Sequence, residues 1–250
     1  MSNTLNLRLS TDRKTTPSAS ANGKVANISN AFGLLSGRGA SCPGQTSVCE
    51  SVCYAGKLER VFKGFGAIML ANWNAVKGAS YRDLVNSLDA LICEFERACV
   101  KRNAEMVFRI HHDGDFFSRT YASAWANVIG RHPNVQFWAY TRSFIPGANV
   151  IDILADIPNL SLYLSVDNDN RVMAEIAKAE FPSVRIAFLA DTAAEGADAI
   201  REMTNSNRPG AACPEVMGRI PLITEKGGAC FACGLCIDGK ADIRFAVKGR

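Results

Sequence analysis

An α/β fold, a partial (β/α)6-type barrel carrying a cysteine-rich C-terminal extension, is what three features of this sequence predict. Apolar segments of strand length alternate with segments of helical period between Met106 and Thr204, the rhythm of parallel strands joined by right-handed crossovers. The strand segments are apolar on one face and polar on the other. Cysteines gather at both ends of the chain, Cys42, Cys49 and Cys53 near the start and Cys213, Cys230, Cys233 and Cys236 near the end.

The 250 residues make one large domain or two small ones, and 48% hydrophobic residues suffice for a full core. A net charge of +4 permits a nucleic-acid partner without demanding one. No apolar run reaches membrane-spanning length, so no membrane partner is expected. The N-terminus lacks the apolar core of a secretory signal, and the expected localisation is cytoplasmic. Thiols stay reduced there, so the seven clustered cysteines of the nine read as metal ligands before disulfides.

In order, residues 1–22 are rich in Ser, Thr and Asn and read as a flexible arm. A first strand is expected around Ile28–Leu35, and Gly37, Gly39, Pro43 and Gly44 then bend the chain into the first cysteine loop. A helix near Gly66–Lys77 follows. The clearest helix is Ser80–Arg102, where Ser80 and Asp83 form a capping pair and Leu84, Leu88, Leu91, Ile92, Phe95 and Cys99 recur at helical spacing. Cys93 and Cys99 on this helix read as packed or idle thiols. Strands are then expected at Met106–His111, Val135–Thr141, Leu160–Val166 and Val184–Ala190. The helices between and after them are Arg119–Gly130, Val150–Ala155, Arg171–Ala179 and Ala193–Thr204. The barrel is thus expected over 23–205 and the cysteine-rich extension over 206–250.

Alternation within the strands separates a barrel from an open sheet. Leu160, Leu162, Leu164 and Val166 point one way, and Ser161, Tyr163, Ser165 and Asp167 the other. An open doubly wound sheet is covered by helices on both faces, and its strands are apolar throughout. Here the polar face is expected to line a wet interior, with the site at the carboxyl ends of the strands. Those ends carry His111-His112-Asp113-Gly114-Asp115, Tyr140-Thr141-Arg142-Ser143 and Ser165-Val166-Asp167. His111, in phase with Arg109, is expected to face the interior, where a strand-end histidine beside carboxylates can move a proton. His132, before Pro133, reads as idle, and Lys240, Arg244, Lys248 and Arg250 read as a solvated basic tail.

Three thiolates on one loop suit a soft metal or an iron–sulfur cluster and leave a coordination position open. In the second group, Cys230-Phe-Ala-Cys233-Gly-Leu-Cys236 has ferredoxin-like spacing and Cys213 adds a fourth thiolate. A closed tetrahedral zinc site is the alternative there.

The Cys49-x3-Cys53-Tyr54 segment resembles the signature of the radical S-adenosylmethionine enzymes. Gly56 stands where that family has its third cysteine, so Cys42 is left to supply the third thiolate. The resemblance implies a 4Fe-4S cluster on Cys42, Cys49 and Cys53, with S-adenosyl-L-methionine on its open iron and an auxiliary cluster on the C-terminal group. It implies cofactor contacts from Tyr54, Asp113, Gly114, Asp115, Thr141, Ser165 and Asp167. The reductant would be a flavodoxin or ferredoxin. Arg109, His111, Tyr140 and Arg142 are then the candidates for contact with an unidentified substrate. The Cys-Pro-Gly…Cys…Cys-Tyr-Ala wording is also similar to proteins of phages and mobile elements, which suggests a setting and no activity. Two other readings stay open: a zinc-stabilised nucleic-acid-binding protein, and a barrel enzyme with hydrolytic or base-exchange chemistry on Asp113, Asp115 or Asp167.

Overall fold

The structure, a computed structural model, describes residues 4–17 and 27–246. Its strands are β1 (Ala31–Phe32), β2 (Val107–Ile110), β3 (Gln136–Thr141), β4 (Leu160–Val166), β5 (Arg185–Ala190), β6 (Ala211–Ala212), β7 (Ile223–Thr224), β8 (Gly227–Gly228) and β9 (Ile243–Ala246). Its helices are α1 (Ser47–Val52), α2 (Tyr54–Val61), α3 (Lys63–Val76), α4 (Tyr81–Arg102), α5 (Arg119–Arg131), α6 (Ile151–Leu154), α7 (Arg171–Glu180), α8 (Ala193–Thr204) and α9 (Ala229–Cys233). One seven-stranded sheet runs β1-β2-β3-β4-β5-β9-β6. Every strand pair in it is parallel. Sequence order equals spatial order through β5, as successive right-handed crossovers on one side require. Strands β7 and β8 form a separate antiparallel pair.

The alternation expected in the strands is present. Phe108, Ile110, Phe137, Leu162, Leu164 and Phe188 bury one face of the sheet in a common core with α4 and α5. Phe95 of α4 meets Phe108 edge-on at 5.1 Å, and Trp125 of α5 lies 6.3 Å from Phe108. Helix α4 is bounded by its own sequence: the Ser80 hydroxyl accepts from Asp83 N (3.2 Å) and donates to the Asp83 carboxylate (2.8 Å). Asn103 closes it in a left-handed conformation, φ 47°.

The other face departs from expectation. Rather than lining a wet interior, it is covered by the cysteine-rich segment. Ile237 O accepts from Ser161 Oγ (2.7 Å) and Gln136 Nε2 (3.0 Å), and Gly239 O accepts from Arg185 Nε (2.9 Å). The Tyr163 hydroxyl donates to Ala241 O at 2.9 Å. Polar side chains on this face are therefore satisfied by backbone carbonyls 54 to 101 positions later in the chain. Residues after 205 also supply β6 and β9 to the main sheet, with β9 inserted beside β5.

Residues 4–17 of the expected flexible arm lie against this body. Ser10 makes an antiparallel bridge to Ala31, Pro17 bridges Gly227, and Leu5, Leu7 and Leu9 pack on the core. Asp12 forms an ion pair of 2.6 Å with Arg109. The rest of the expected arm, 18–22, lies outside the described residues, as do Lys248 and Arg250 of the basic tail. Arg244 is no solvated tail residue: it belongs to β9 and its guanidinium donates to Pro209 O (2.8 Å) and Gly210 O. Lys240 pairs with Asp238. Among the described residues, no helix is long and apolar enough to cross a membrane.

Candidate metal centre at the carboxyl rim

The first cysteine loop leaves β1 at Gly33 and is closed by hydrogen bonds within itself. Ser41 Oγ donates to Leu35 O (2.7 Å), Cys42 N to Gly37 O (3.0 Å) and Gln45 N to Cys42 O (3.1 Å). Thr46 then caps α1, its hydroxyl accepting from Cys49 N at 3.0 Å. Cys53 separates α1 from α2 and caps the latter with sulfur, Sγ accepting from Gly56 N at 3.4 Å. Gly56, which stands where the resemblance asks for a cysteine, thus serves the Cys53 thiol through its backbone.

The strand ends hold this loop. Asp115, after β2, accepts from Thr141 Oγ1 (2.6 Å), Arg142 N (2.7 Å) and Phe116 N (2.7 Å), and its own N–H donates to Ser41 Oγ (3.3 Å). Asp167, after β4, accepts from Thr46 Oγ1 and Arg142 Nη1, both at 2.6 Å. Arg142 also donates to Thr46 Oγ1 at 3.2 Å. Two glycines make the close fit possible. Gly114 takes φ +82° and a Cβ on it would lie 2.5 Å from Ser41 Oγ, while a Cβ on Gly44 would strike the Arg142 carbonyl.

Asp113 is different. It is 2% exposed, neither carboxylate oxygen makes a hydrogen bond of good geometry, and the groups that meet it are the Glu59 carboxyl and the Gly114 N–H. Burial, reinforced by the neighbouring Glu59 carboxyl, pushes its pKa up strongly. Glu59 also lines a cavity of about 420 Å3 with Cys53, Gln45, Arg38, Lys57 and Arg60. Two of the three thiols of this loop are themselves held neutral. Burial raises Cys42, helped by Asp115, and raises Cys49 against the opposing charge of Arg142. Metal binding here must therefore displace protons. Cys49 lies in electrostatic reach of Cys53, and Cys42 and Cys49 both in reach of Asp115.

The second group sits on the covered face of the sheet. Cys236 is within electrostatic reach of Cys213, Cys230 and Cys233. Burial pushes its thiol up to about 11, and the Tyr140 hydroxyl donates to its sulfur at 3.0 Å. Trp138, Tyr140 and Tyr163 pack beneath Cys230, Cys213 and Cys236. Arg109 lies between the two groups. Its guanidinium stacks 4.7 Å from the Trp138 ring centre and 5.8 Å from that of Tyr140, and donates to the Tyr54 hydroxyl at 3.2 Å.

The predicted residues thus divide. Tyr54, Asp113, Gly114, Asp115, Thr141, Arg142 and Asp167 come together around the first cysteine loop. Tyr140 belongs to the second group, and Ser165 lies on β4 opposite Ala187 of β5. His111 is a correction. Strand β2 ends at Ile110, His111 takes φ 58°, and the strand alternation stops before it. Its ring lies on the helix side, 4.5 Å from Phe116, with Nε2 2.8 Å from the Tyr121 hydroxyl. Burial pushes its pKa down to about 3, so it is a neutral core residue. Sequence reasoning missed Asp12, Thr46 and Glu59. Thr46 alone had a local signal, a capping residue three positions before Cys49.

Fold and site together define a class: a parallel α/β protein with one thiol group at the carboxyl rim of its sheet and another packed on the sheet's face. More particularly, the chain belongs to the gene product 88 family, whose model matches residues 5–239, a span that contains all nine cysteines. It is 41% identical over 244 residues to the gene 88 protein of Mycobacterium phage L5, covering 96% of this chain and 98% of that protein. Identity to the gene 88 protein of Mycobacterium phage D29 is also 41%, over 246 residues, with 96% and 98% covered. No solved structure matches the chain.

Proposed function

We propose that this protein is an iron–sulfur enzyme of the radical S-adenosylmethionine type, working in a partial (β/α)6-type barrel on a substrate still to be identified. Cys42, Cys49 and Cys53 would hold a four-iron cluster, and Cys213, Cys230, Cys233 and Cys236 a second cluster or a zinc ion. The first cluster, reduced by a flavodoxin or ferredoxin, would supply the electron that cleaves S-adenosylmethionine to a deoxyadenosyl radical. The single observation that carries the reading is the setting of Cys53: it shares a cavity with Glu59, whose neighbour Asp113 is a buried carboxyl that meets Glu59 and forms no ion pair among the described residues. A cationic amino group is the partner such a pair lacks. The cavity's mixed charges, Glu50 and Glu59 against Arg38, Lys57 and Arg60, suit a zwitterion.

Donor chemistry supports the fit. The rim offers three thiols beside its carboxylates, and soft sulfur donors are what a cluster takes. Asp115, Asp167 and Arg142 act in this reading as positioning residues. They fix the cysteine loop to the ends of β2, β3 and β4, while Asp113 and Glu59 are left to bind the cofactor's amino group.

The test is anaerobic purification followed by iron and sulfide analysis, then incubation with dithionite and S-adenosylmethionine. The reading expects a brown protein that forms 5′-deoxyadenosine, with formation lost in Cys49→Ser and strongly reduced in Glu59→Gln. A colourless protein holding only zinc overturns it and favours the nucleic-acid-binding reading.

A further inference from the structure

We propose that Asp89, Cys93 and His132 bind one divalent transition-metal ion, zinc by the chemistry of the donors, in a site built from α4 and the end of α5. One ligand atom from each lies within 4.8 Å of the other two. Neither helix carries a cysteine of the two clustered groups.

The local structure prepares the site. Asp89 and Cys93 are four positions apart on α4 and so share a face of that helix. His132 ends α5, and its backbone is held at both sides. Its N–H donates to Ile129 O (3.2 Å), and its carbonyl accepts from Asn159 Nδ2 (3.0 Å) and Val135 N (3.1 Å). The imidazole is 93% buried by its 7% exposure, and Nδ1 lies 3.0 Å from the Glu96 carboxylate, one turn beyond Cys93.

Placing the proton of a neutral imidazole on Nδ1, 3.0 Å from the Glu96 carboxylate, leaves Nε2 with a lone pair. Nε2 is buried and makes no hydrogen bond; its nearest carboxylate oxygen, Asp89 Oδ1, is 3.4 Å away. Two acceptors then face one another beside a thiol. A cation between them removes the conflict. Cys93 gives up its proton to solvent, and the thiolate and the Asp89 carboxylate balance a 2+ ion. A carboxylate on the far nitrogen of a ligating histidine is the arrangement that orients such ligands and raises their basicity. Imidazole, thiolate and carboxylate leave a fourth tetrahedral position for water. A groove of about 480 Å3, lined by Cys93, Glu96, Arg97 and Val100, opens the thiol to solvent. Arg131, 3.6 Å from Asp89 and half exposed, is the cation the metal competes with. The competing arrangement is an imidazolium held between Asp89 and Glu96 with no metal.

Peptide-resolved alkylation separates the two, because it reads Cys93 alone among nine cysteines. The full-length protein is treated with iodoacetamide with and without zinc, and the labelling of Cys93 is followed by mass spectrometry. Zinc is expected to slow Cys93 at least about ten-fold, the shielding that direct thiolate ligation gives. Cys99, buried on the same helix, is the reference whose labelling stays constant. His132→Asn and Asp89→Asn abolish the protection, and Glu96→Gln raises the zinc concentration needed by about 10–100-fold. Slow labelling before zinc is added, relieved by a chelator, counts equally in favour. An unchanged Cys93 rate overturns the proposal, as does protection that persists in both His132→Asn and Asp89→Asn. If His132→Asn does not fold, Asp89→Asn decides, since Asp89 is partly exposed.

Discussion

Cys42, Cys49 and Cys53 stand among carboxylates, hydroxyls and a solvent-connected cavity, whereas Cys213, Cys230, Cys233 and Cys236 lie on aromatic rings and backbone carbonyls. The ligand atom is the same, but the neighbours differ in what they can do. At the rim, Asp115, Asp167 and Arg142 spend their hydrogen bonds on locating the loop, Glu59 accepts from Ser36 N (2.7 Å), and the buried Asp113 makes no hydrogen bond of good geometry. Among the described residues, the sheet face has no buried carboxyl in that position. Tyr140 donates to Cys236 and Tyr163 to the following backbone, so the segment is fastened to the sheet. In the function proposed above, the contrast corresponds to ligand binding and chemistry at the first group. To the second it assigns covering the sheet and, through Arg109 and Tyr54, contact with the first.

The largest effect expected is from the second group. A structural metal contributes on the order of 10 kcal/mol to the fold it closes. Cys233→Ser/Cys236→Ser should therefore release the segment from 206 onward, read as new proteolytic cleavage there, and expose Trp138 to quenchers. A double variant as protease-resistant as the parent removes the distinction between the groups. Next is Asp167→Asn. It leaves Arg142 buried without its counter-charge, a loss of about 3–5 kcal/mol in urea unfolding. It should also cost iron at the rim while leaving the second group loaded. Iron lost equally from both groups contradicts the separation drawn here.

Tyr140→Phe is smaller and sharper. Removing the hydroxyl that donates to Cys236 should weaken metal retention at the second group by about 10–100-fold, measured by competition with a chelator, with rim iron unchanged. Smallest is a pH effect on the core behind the rim. Burial pushes His111 down to about 3 and His112 down to about 4, against about 6.5 when unfolded. Between those limits the unfolded chain binds more protons. The stability these histidines permit is thus full above about pH 6.5 and is lost as pH falls toward 3–4. Asp113, raised by burial and Glu59, works in the opposite sense, so the measurement is a difference. His111→Asn, which tolerates the left-handed backbone, should remove a slope of up to about 1.4 kcal/mol per pH unit. Parallel curves for the two proteins would show that His111 does not stay neutral.

Most of the sheet was legible because its signals are local. Leu160–Val166 and Ala193–Thr204 fall at their expected ends, and Ser80 with Asp83 and Asn103 delimit α4 from within it. The short helices α1 and α2 were not foreseen, since a loop with Pro43, Gly44 and three cysteines carries no helical period. Alternation in β2 and β4 gave the two faces correctly. It could not tell water from a distant backbone, so the polar face looked wet when residues 235–241 cover it. His111 failed for a similar reason: strand phase holds only while the backbone stays extended, and a φ of 58° ends it. The gathering of Asp89, Cys93, Glu96 and His132 was invisible because it depends on how the consecutive helices α4 and α5 pack together, which no local pattern records.

The most direct measurement is electron paramagnetic resonance of the reduced, anaerobically purified protein with and without S-adenosylmethionine, run on the parent and on Cys49→Ser. The account predicts a cluster signal in the parent that changes when S-adenosylmethionine is added, and the loss of that change in Cys49→Ser while the signal of the second group, where that group holds iron, persists. A parent with no cluster signal, or one whose signal ignores S-adenosylmethionine, contradicts it.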